Sequence, residues 1–292
     1  MKWEGHERSS NIEDRRGRGG GGLGGLPIGG RGIGLGTVAV AVVAGLIFGV
    51  NPLAILGLMS GDAPVAQQQQ QRVPTGQPAE SDPAAAFVAT VLRDTEQVWG
   101  QQFQAAGVRY REPVLVLFRG ATPTACGTGQ AAMGPFYCPG DTRVYIDLDF
   151  LDAMQRRLGA QGDFARAYVI AHEVAHHVQH ITGHLGGGAE RAGVSRAEAN
   201  ARSVRTELQA DCLAGVWAHH SQRSKGWLEQ GDIEEALNAA SQIGDDTLQK
   251  RSGGAVVPES FTHGSSAQRV AAFKLGYEAG SPQRCGLGAR QP

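Results

Sequence analysis

The chain has 292 residues, of which 41% are hydrophobic and 19% charged, and its formal net charge is −1. That is enough chain and enough apolar content for one domain with a full core. The near-neutral balance, with no basic stripe, gives nucleic-acid binding no support.

In chain order, residues 1–31 read as a disordered cytoplasmic tail of mixed charge, with Gly19 to Gly30 of low complexity. No charged side chain occurs from Gly32 to Gly61, and Ile33 to Val50 is apolar enough to cross a bilayer of about 30 Å as one helix. The spacing predicts a transmembrane helix over 32–52. A cleaved signal peptide fits less well, because some thirty residues precede the apolar run. Arg8, Arg15, Arg16, Arg18 and Arg31 stand before that segment and the next basic residue is Arg72, so the positive-inside rule puts the N-terminus in the cytoplasm. All that follows is then periplasmic or extracellular. A flexible Gln- and Pro-rich linker is expected over 53–83, a folded domain over 84–288 and a short tail over 289–292.

Within the domain, Val88, Val91, Leu92, Thr95, Val98, Trp99 and Phe103 predict an amphipathic helix. Val114 to Phe118 reads as a buried strand, and Val144 to Leu148 alternates as a second strand. Helices are expected over Asp163 to Thr182, Ser195 to His219, Asp232 to Ile243 and Ser266 to Glu278. The fold class is thus α+β, mainly helical with a small β-sheet, preceded by the transmembrane helix.

The chemistry concentrates at His172-Glu173-Val174-Ala175-His176. No Gly or Pro interrupts the chain between Asp163 and Thr182, and residues four apart on a helix share a face, so His172 and His176 can offer two imidazoles to one zinc ion. Glu173 then lies beside the open coordination position, placed as a general base for a water whose pKa the metal lowers to about 7. Gln179 and Thr182 stand where a metzincin carries glycine and histidine, which excludes that subclass.

The third ligand is sought on the next helix. Ser195 and Glu198 match a capping box, which gives Glu198 a structural task. Glu207 and Asp211, four apart on one face, fit a ligating glutamate and an aspartate that accepts a hydrogen bond from a ligand histidine. His177 and His180 point elsewhere on the zinc helix, His184 is a lesser substitute ligand, and His219 and His220 read as cations near a helix end. His263, just before a second capping box at Ser265 and Gln268, is a candidate oxyanion donor, with Tyr145 and Arg269 as weaker ones.

These residues resemble the bacterial family of neutral zinc metallopeptidases. The likeness is carried by Met1 to Gly5, Asn11 to Gly17, Gly134 to Pro139, Ala171 to Gln179, Glu207 to Cys212 and Phe261 to Arg269. It implies a membrane-anchored zinc peptidase with a glutamate third ligand, carried here onto Glu207, acting on a peptide or protein substrate. Two other functions remain open: a zinc-binding envelope protein without turnover, and a zinc amidase acting on cell-wall peptides. In zincins the strand before the zinc helix often pairs with substrate, which nominates Val144 to Leu148.

Cys126, Cys138, Cys212 and Cys285 show no C-x-x-C spacing and all follow the apolar segment, so two disulfides are expected. Of three connectivities, Cys126 with Cys138 and Cys212 with Cys285 is the expectation.

Overall fold

The structure is a computed structural model and describes residues 1–16, 82–130, 134–157, 162–185, 194–251 and 255–288. The expected transmembrane helix and most of the expected linker fall outside them, as does the tail from 289. Among the described residues, no helix is long and apolar enough to cross a membrane.

Six strands and seven helices are described. The strands are β1 (Ile12–Asp14), β2 (Val114–Phe118), β3 (Ala121–Thr124), β4 (Gly127–Gln130), β5 (Phe136–Cys138) and β6 (Arg143–Asp147). The helices are α1 (Pro83–Ala105), α2 (Leu148–Arg157), α3 (Asp163–Ile181), α4 (Arg196–Lys225), α5 (Asp232–Gln242), α6 (Asp245–Arg251) and α7 (Ser266–Ala279). The mainly helical α+β reading therefore holds, with one mixed sheet and a separate β3–β4 hairpin.

The sheet runs β1-β2-β6-β5, parallel except where β5 meets β6. Leu115, Leu117, Val144 and Ile146 face the helical core, while Val116, Phe118 and Tyr145 pack with Cys138 and Phe136 on the other side. Both faces are covered, which explains the unbroken Val-Leu-Val-Leu-Phe run of β2. The nomination of Val144 to Leu148 as a substrate edge needs correction. β6 is flanked by β2 and β5, so its backbone groups are already paired, and β5 is an edge of this sheet.

The first sixteen residues differ most from expectation. Instead of a loose tail they form part of the domain, with Ile12 opposite Leu115 and only 4% exposed. Trp3 meets Phe87 edge-on at 5.4 Å and donates from Nε1 to Asp163 at 3.0 Å. The Met1 amine pairs with Asp232 at 3.2 Å. A three-residue strand between charged neighbours has too little apolar pattern to be read from sequence, and its partner strand supplies the missing context.

Helices α4 and α7 cross at two glycines. A Cβ on Gly215 would lie 2.1 Å from the Phe273 carbonyl oxygen, and one on Gly276 would lie 1.8 Å from that of Cys212. Only bare backbones can approach so closely. The Cys212–Cys285 disulfide closes beside this crossing, and Cys126–Cys138 joins the β3–β4 turn to β5, as expected from sequence. The chain turns out of α4 at Gly226, a left-handed cap, six residues beyond His220, so His219 and His220 do not end their own helix. They bond instead to the Tyr277 and Gly280 carbonyls at the end of α7.

Placing a charge on β1 tests its part in the fold. Ile12→Asp should cost about 3 kcal/mol through an unpaired buried carboxylate, lowering Tm by roughly 6–12 °C for a domain of this size. An unchanged Tm by differential scanning calorimetry would mean that the N-terminal strand is not part of the folded unit.

Candidate metal centre

The site is built where α3 faces α4. Helix α3 is buried along nearly its whole length, from Phe164 to Gln179. It starts at Gly162, whose φ of 102° and whose closeness to Glu235 leave no room for a side chain. Glu235, from α5, accepts from the Phe164 amide at 3.1 Å and so supplies the cap that Gly162 lacks. Helix α4 begins with the expected Ser195–Glu198 capping box, which fixes its start about three turns ahead of Glu207 and about four ahead of Asp211.

His172, His176 and Glu207 converge as the sequence predicts. One donor atom from each lies within 4.8 Å of the other two. Glu207 reaches His172 Nε2 at 3.1 Å and His176 Nε2 at 3.6 Å through its two oxygens. Tetrahedral zinc with bonds of about 2.0–2.1 Å would hold its ligands roughly 3.3–3.4 Å apart. The two separations, each to a different oxygen of Glu207, are close to that value, and two nitrogens with one carboxylate oxygen form a donor set suited to zinc.

The outer nitrogens of both histidines are engaged. His172 Nδ1 lies 2.8 Å from Asp211 Oδ1, and His176 Nδ1 lies 2.8 Å from Gln179 Oε1. Both Nδ1–H groups then donate outward, which leaves each Nε2 lone pair directed at the centre. Asp211 was expected in this role. Gln179 was read only as departing from a metzincin pattern, although its position three residues after His176 puts it on the same helix face. Its amide is itself fixed, donating to the Thr206 carbonyl at 2.8 Å and to Gln209 Oε1 at 2.9 Å.

Asp211 is fully buried, and its carboxylate is shared by three donors. Besides His172, it accepts from the Tyr168 hydroxyl at 2.5 Å and from Arg269 at 2.9 Å through both Nε and Nη2. Arg269 had been considered as an oxyanion donor, and the structure instead engages its guanidinium with Asp211 and Tyr168, behind the ligands. Tyr145 likewise donates to Asp141 at 2.8 Å on the far side of the sheet.

The field of the site favours positive charge. Burial would push His172 down, but Asp211 and then Glu207 raise it to about 10. Burial would lift Glu207 too, yet His176 and His172 hold it well below the usual carboxylate range. Glu173 is raised by burial, opposed by the same imidazoles. It is only 8% exposed, and its carboxylate takes no hydrogen bond among the described residues.

His263 stands beside the cluster rather than in it. The amides of Thr262, His263 and Gly264 all donate to Asp245 Oδ2 at 2.7–3.0 Å, and His263 Nδ1 lies 3.3 Å from Asp245 Oδ1. Gly264 in turn packs on Val204 and Leu208 of α4, the stretch that carries Glu207. Burial lowers the His263 pKa, but Asp245 and Glu207 raise it overall. Of the other histidines, His177 is buried against Tyr137 and the Arg111 carbonyl, with its pKa lowered by burial to about 4. His180 bonds to the Tyr137 hydroxyl and His184 to Thr182, so none of the three joins the cluster.

Gln179→Leu keeps the volume but loses the acceptor, and Asp211→Asn keeps the shape but loses the charge. Each should weaken zinc binding by about 10- to 100-fold, read by competition against a calibrated chelator. A Gln179→Leu protein that binds zinc as tightly as the unsubstituted chain would show that His176 needs no such support.

The model of the family described as "Putative neutral zinc metallopeptidase" matches residues 1–287. Uncharacterized protein YpfJ of Escherichia coli K12 is 52% identical over 296 residues, covering 98% of each chain. Uncharacterized protein Mb2605 of Mycobacterium bovis is 41% identical over 186 residues, covering 60% of this chain and 62% of its own. No solved structure matches the chain. With the family match running over almost the whole length, from the β1 strand to the Cys285 turn, the chain belongs to the neutral zinc metallopeptidase family.

Proposed function

We propose that the protein is a zinc-dependent peptidase in which His172, His176 and Glu207 hold the metal and Glu173 is the general base. The observation that carries this reading is an uncommitted buried carboxylate, Glu173, next to a two-nitrogen, one-oxygen cluster. A purely structural site needs no base and usually closes with four protein ligands. Among the described residues, three converge.

A zinc ion held there supplies Lewis acidity, which brings water ionisation into the neutral pH range and polarises a carbonyl. Glu173 takes the proton from the attacking water at a carboxylate oxygen and passes it to the leaving nitrogen of the peptide bond. Burial raises its pKa, which favours proton uptake from water. Asp211 and Gln179 hold the two imidazoles in one tautomer throughout. His263, on a loop braced by Asp245, is our candidate donor to the developing oxyanion. An extended substrate would add to the edge of β5, whose Tyr137 touches His177 and His180, one and four residues after His176.

Both disulfides are closed and no free cysteine remains. That pattern supports an oxidising compartment outside the cytoplasm for the domain.

Glu173→Gln separates catalysis from metal binding. It should retain zinc at the stoichiometry of the unsubstituted chain while peptide hydrolysis falls by about 10²- to 10⁴-fold. Turnover within tenfold of normal in a zinc-loaded Glu173→Gln protein would remove the residue from the chemistry. Full zinc content without hydrolysis of any peptide by the unsubstituted protein would favour the non-catalytic envelope role.

A further inference from the structure

The described residues that flank the apolar segment are clasped together. Residue 16 is the last described before that segment and residue 82 the first after it. Arg16 is ion-paired with Asp82, and also with Asp14 at 2.5 Å. Asp82 simultaneously caps α1, accepting from the Ala84 and Ala85 amides at 3.0 and 3.1 Å. Residues 16 and 82 therefore lie at one place on the domain.

Before that point, the N-terminal segment is committed to the fold through its whole length. Leu115 N donates to the Asn11 carbonyl at 2.8 Å, Arg15 N to the Leu117 carbonyl at 2.8 Å, and Ser9 N to the Ala89 carbonyl at 3.0 Å. The buried Glu13 pairs with Arg15 at 2.7 Å and with Arg143 of β6. Ser9 and Asn11 both donate to Glu96 of α1, at 2.5 and 2.8 Å. Neighbouring strands lie about 4.8 Å apart, whereas the hydrocarbon core of a bilayer is about 30 Å thick. A single crossing between residues 16 and 82 would put β1 and β2 on opposite sides of that barrier.

We infer that residues 1–16 and 82–288 lie on the same side of the membrane, because β1 and β2 belong to one sheet. This replaces the topology read from sequence, with its cytoplasmic N-terminus. The positive-inside argument counted Arg15 and Arg16, which are consumed by Glu13, Asp14 and Asp82. The inference is independent of the peptidase reading, since it needs neither metal nor turnover.

Thiol accessibility tests it in the full-length chain in its native membrane. The four native cysteines are all disulfide-bonded, so an introduced cysteine is the reactive one. Glu4→Cys reports on the N-terminal segment and Gln104→Cys on the end of α1, both at exposed positions. A membrane-impermeant maleimide, applied to intact cells and then to permeabilised ones, should label both variants in the same condition. Labelling of one before permeabilisation and of the other only after would overturn the inference. Ser10→Cys and Lys274→Cys, also exposed, repeat the comparison should either first variant fold poorly. If all are labelled only after permeabilisation, the shared side stands, and it is the extracytoplasmic placement that fails.

Discussion

Asp211 is the carboxylate on which the site depends. It is buried beyond contact with water, yet it stays ionised because Arg269, Tyr168 and His172 each donate to it. Burial alone would raise its pKa, and Arg269 and His172 bring it below the ordinary value. Removing one partner from such a buried cluster would typically cost about 3–5 kcal/mol, because the remaining charge has no solvent to turn to. The network also joins three helices at one atom group. Tyr168 and His172 come from α3, Asp211 from α4 and Arg269 from α7. The histidine face of α3 cannot rotate relative to α4 without breaking it.

The packing around this carboxylate follows from that requirement. Arg269 can reach Asp211 only if α7 lies against α4, and the Gly215–Gly276 crossing provides the approach. The Cys212–Cys285 bridge begins one residue after Asp211 and anchors the end of the chain to the same turn of α4. Gln209, between Glu207 and Asp211, bonds to the Cys285 carbonyl at 3.1 Å and to Gln179. Support for His176 thus runs through Gln179 and Gln209 to the disulfide. Support for His172 runs through Asp211 to Arg269. Each imidazole has its own line of bracing, which is the kind of outer-shell order that keeps a metal site preorganised.

The parts of this arrangement written in local spacing were legible from the sequence. His172 and His176 at four residues, Glu207 and Asp211 at four, and the two capping boxes at three are helix geometry expressed as sequence. The structure brings them to their expected places. The cysteine pairing was also read correctly. Gln179 is visible at an i, i+3 step from His176 but is weighed only against a metzincin pattern. Features that depend on distant partners were not legible. Arg269 has no local sign that it will meet Asp211, 58 residues earlier. The charges around β1 look like a solvated tail until β2 and Asp82 are beside them. The edge of the sheet was misplaced for the same reason, since whether β6 or β5 lies outermost is decided by pairing order rather than by alternation.

The most direct test is metal analysis combined with X-ray absorption at the zinc edge on the purified, full-length protein. One zinc per chain, with two imidazole nitrogens and a carboxylate oxygen in its shell and with that signal lost in His176→Ala, is the expected result. Protein that is folded, with both disulfides closed, but takes up no zinc, or that keeps the same zinc spectrum after His176→Ala, would contradict the account at its centre.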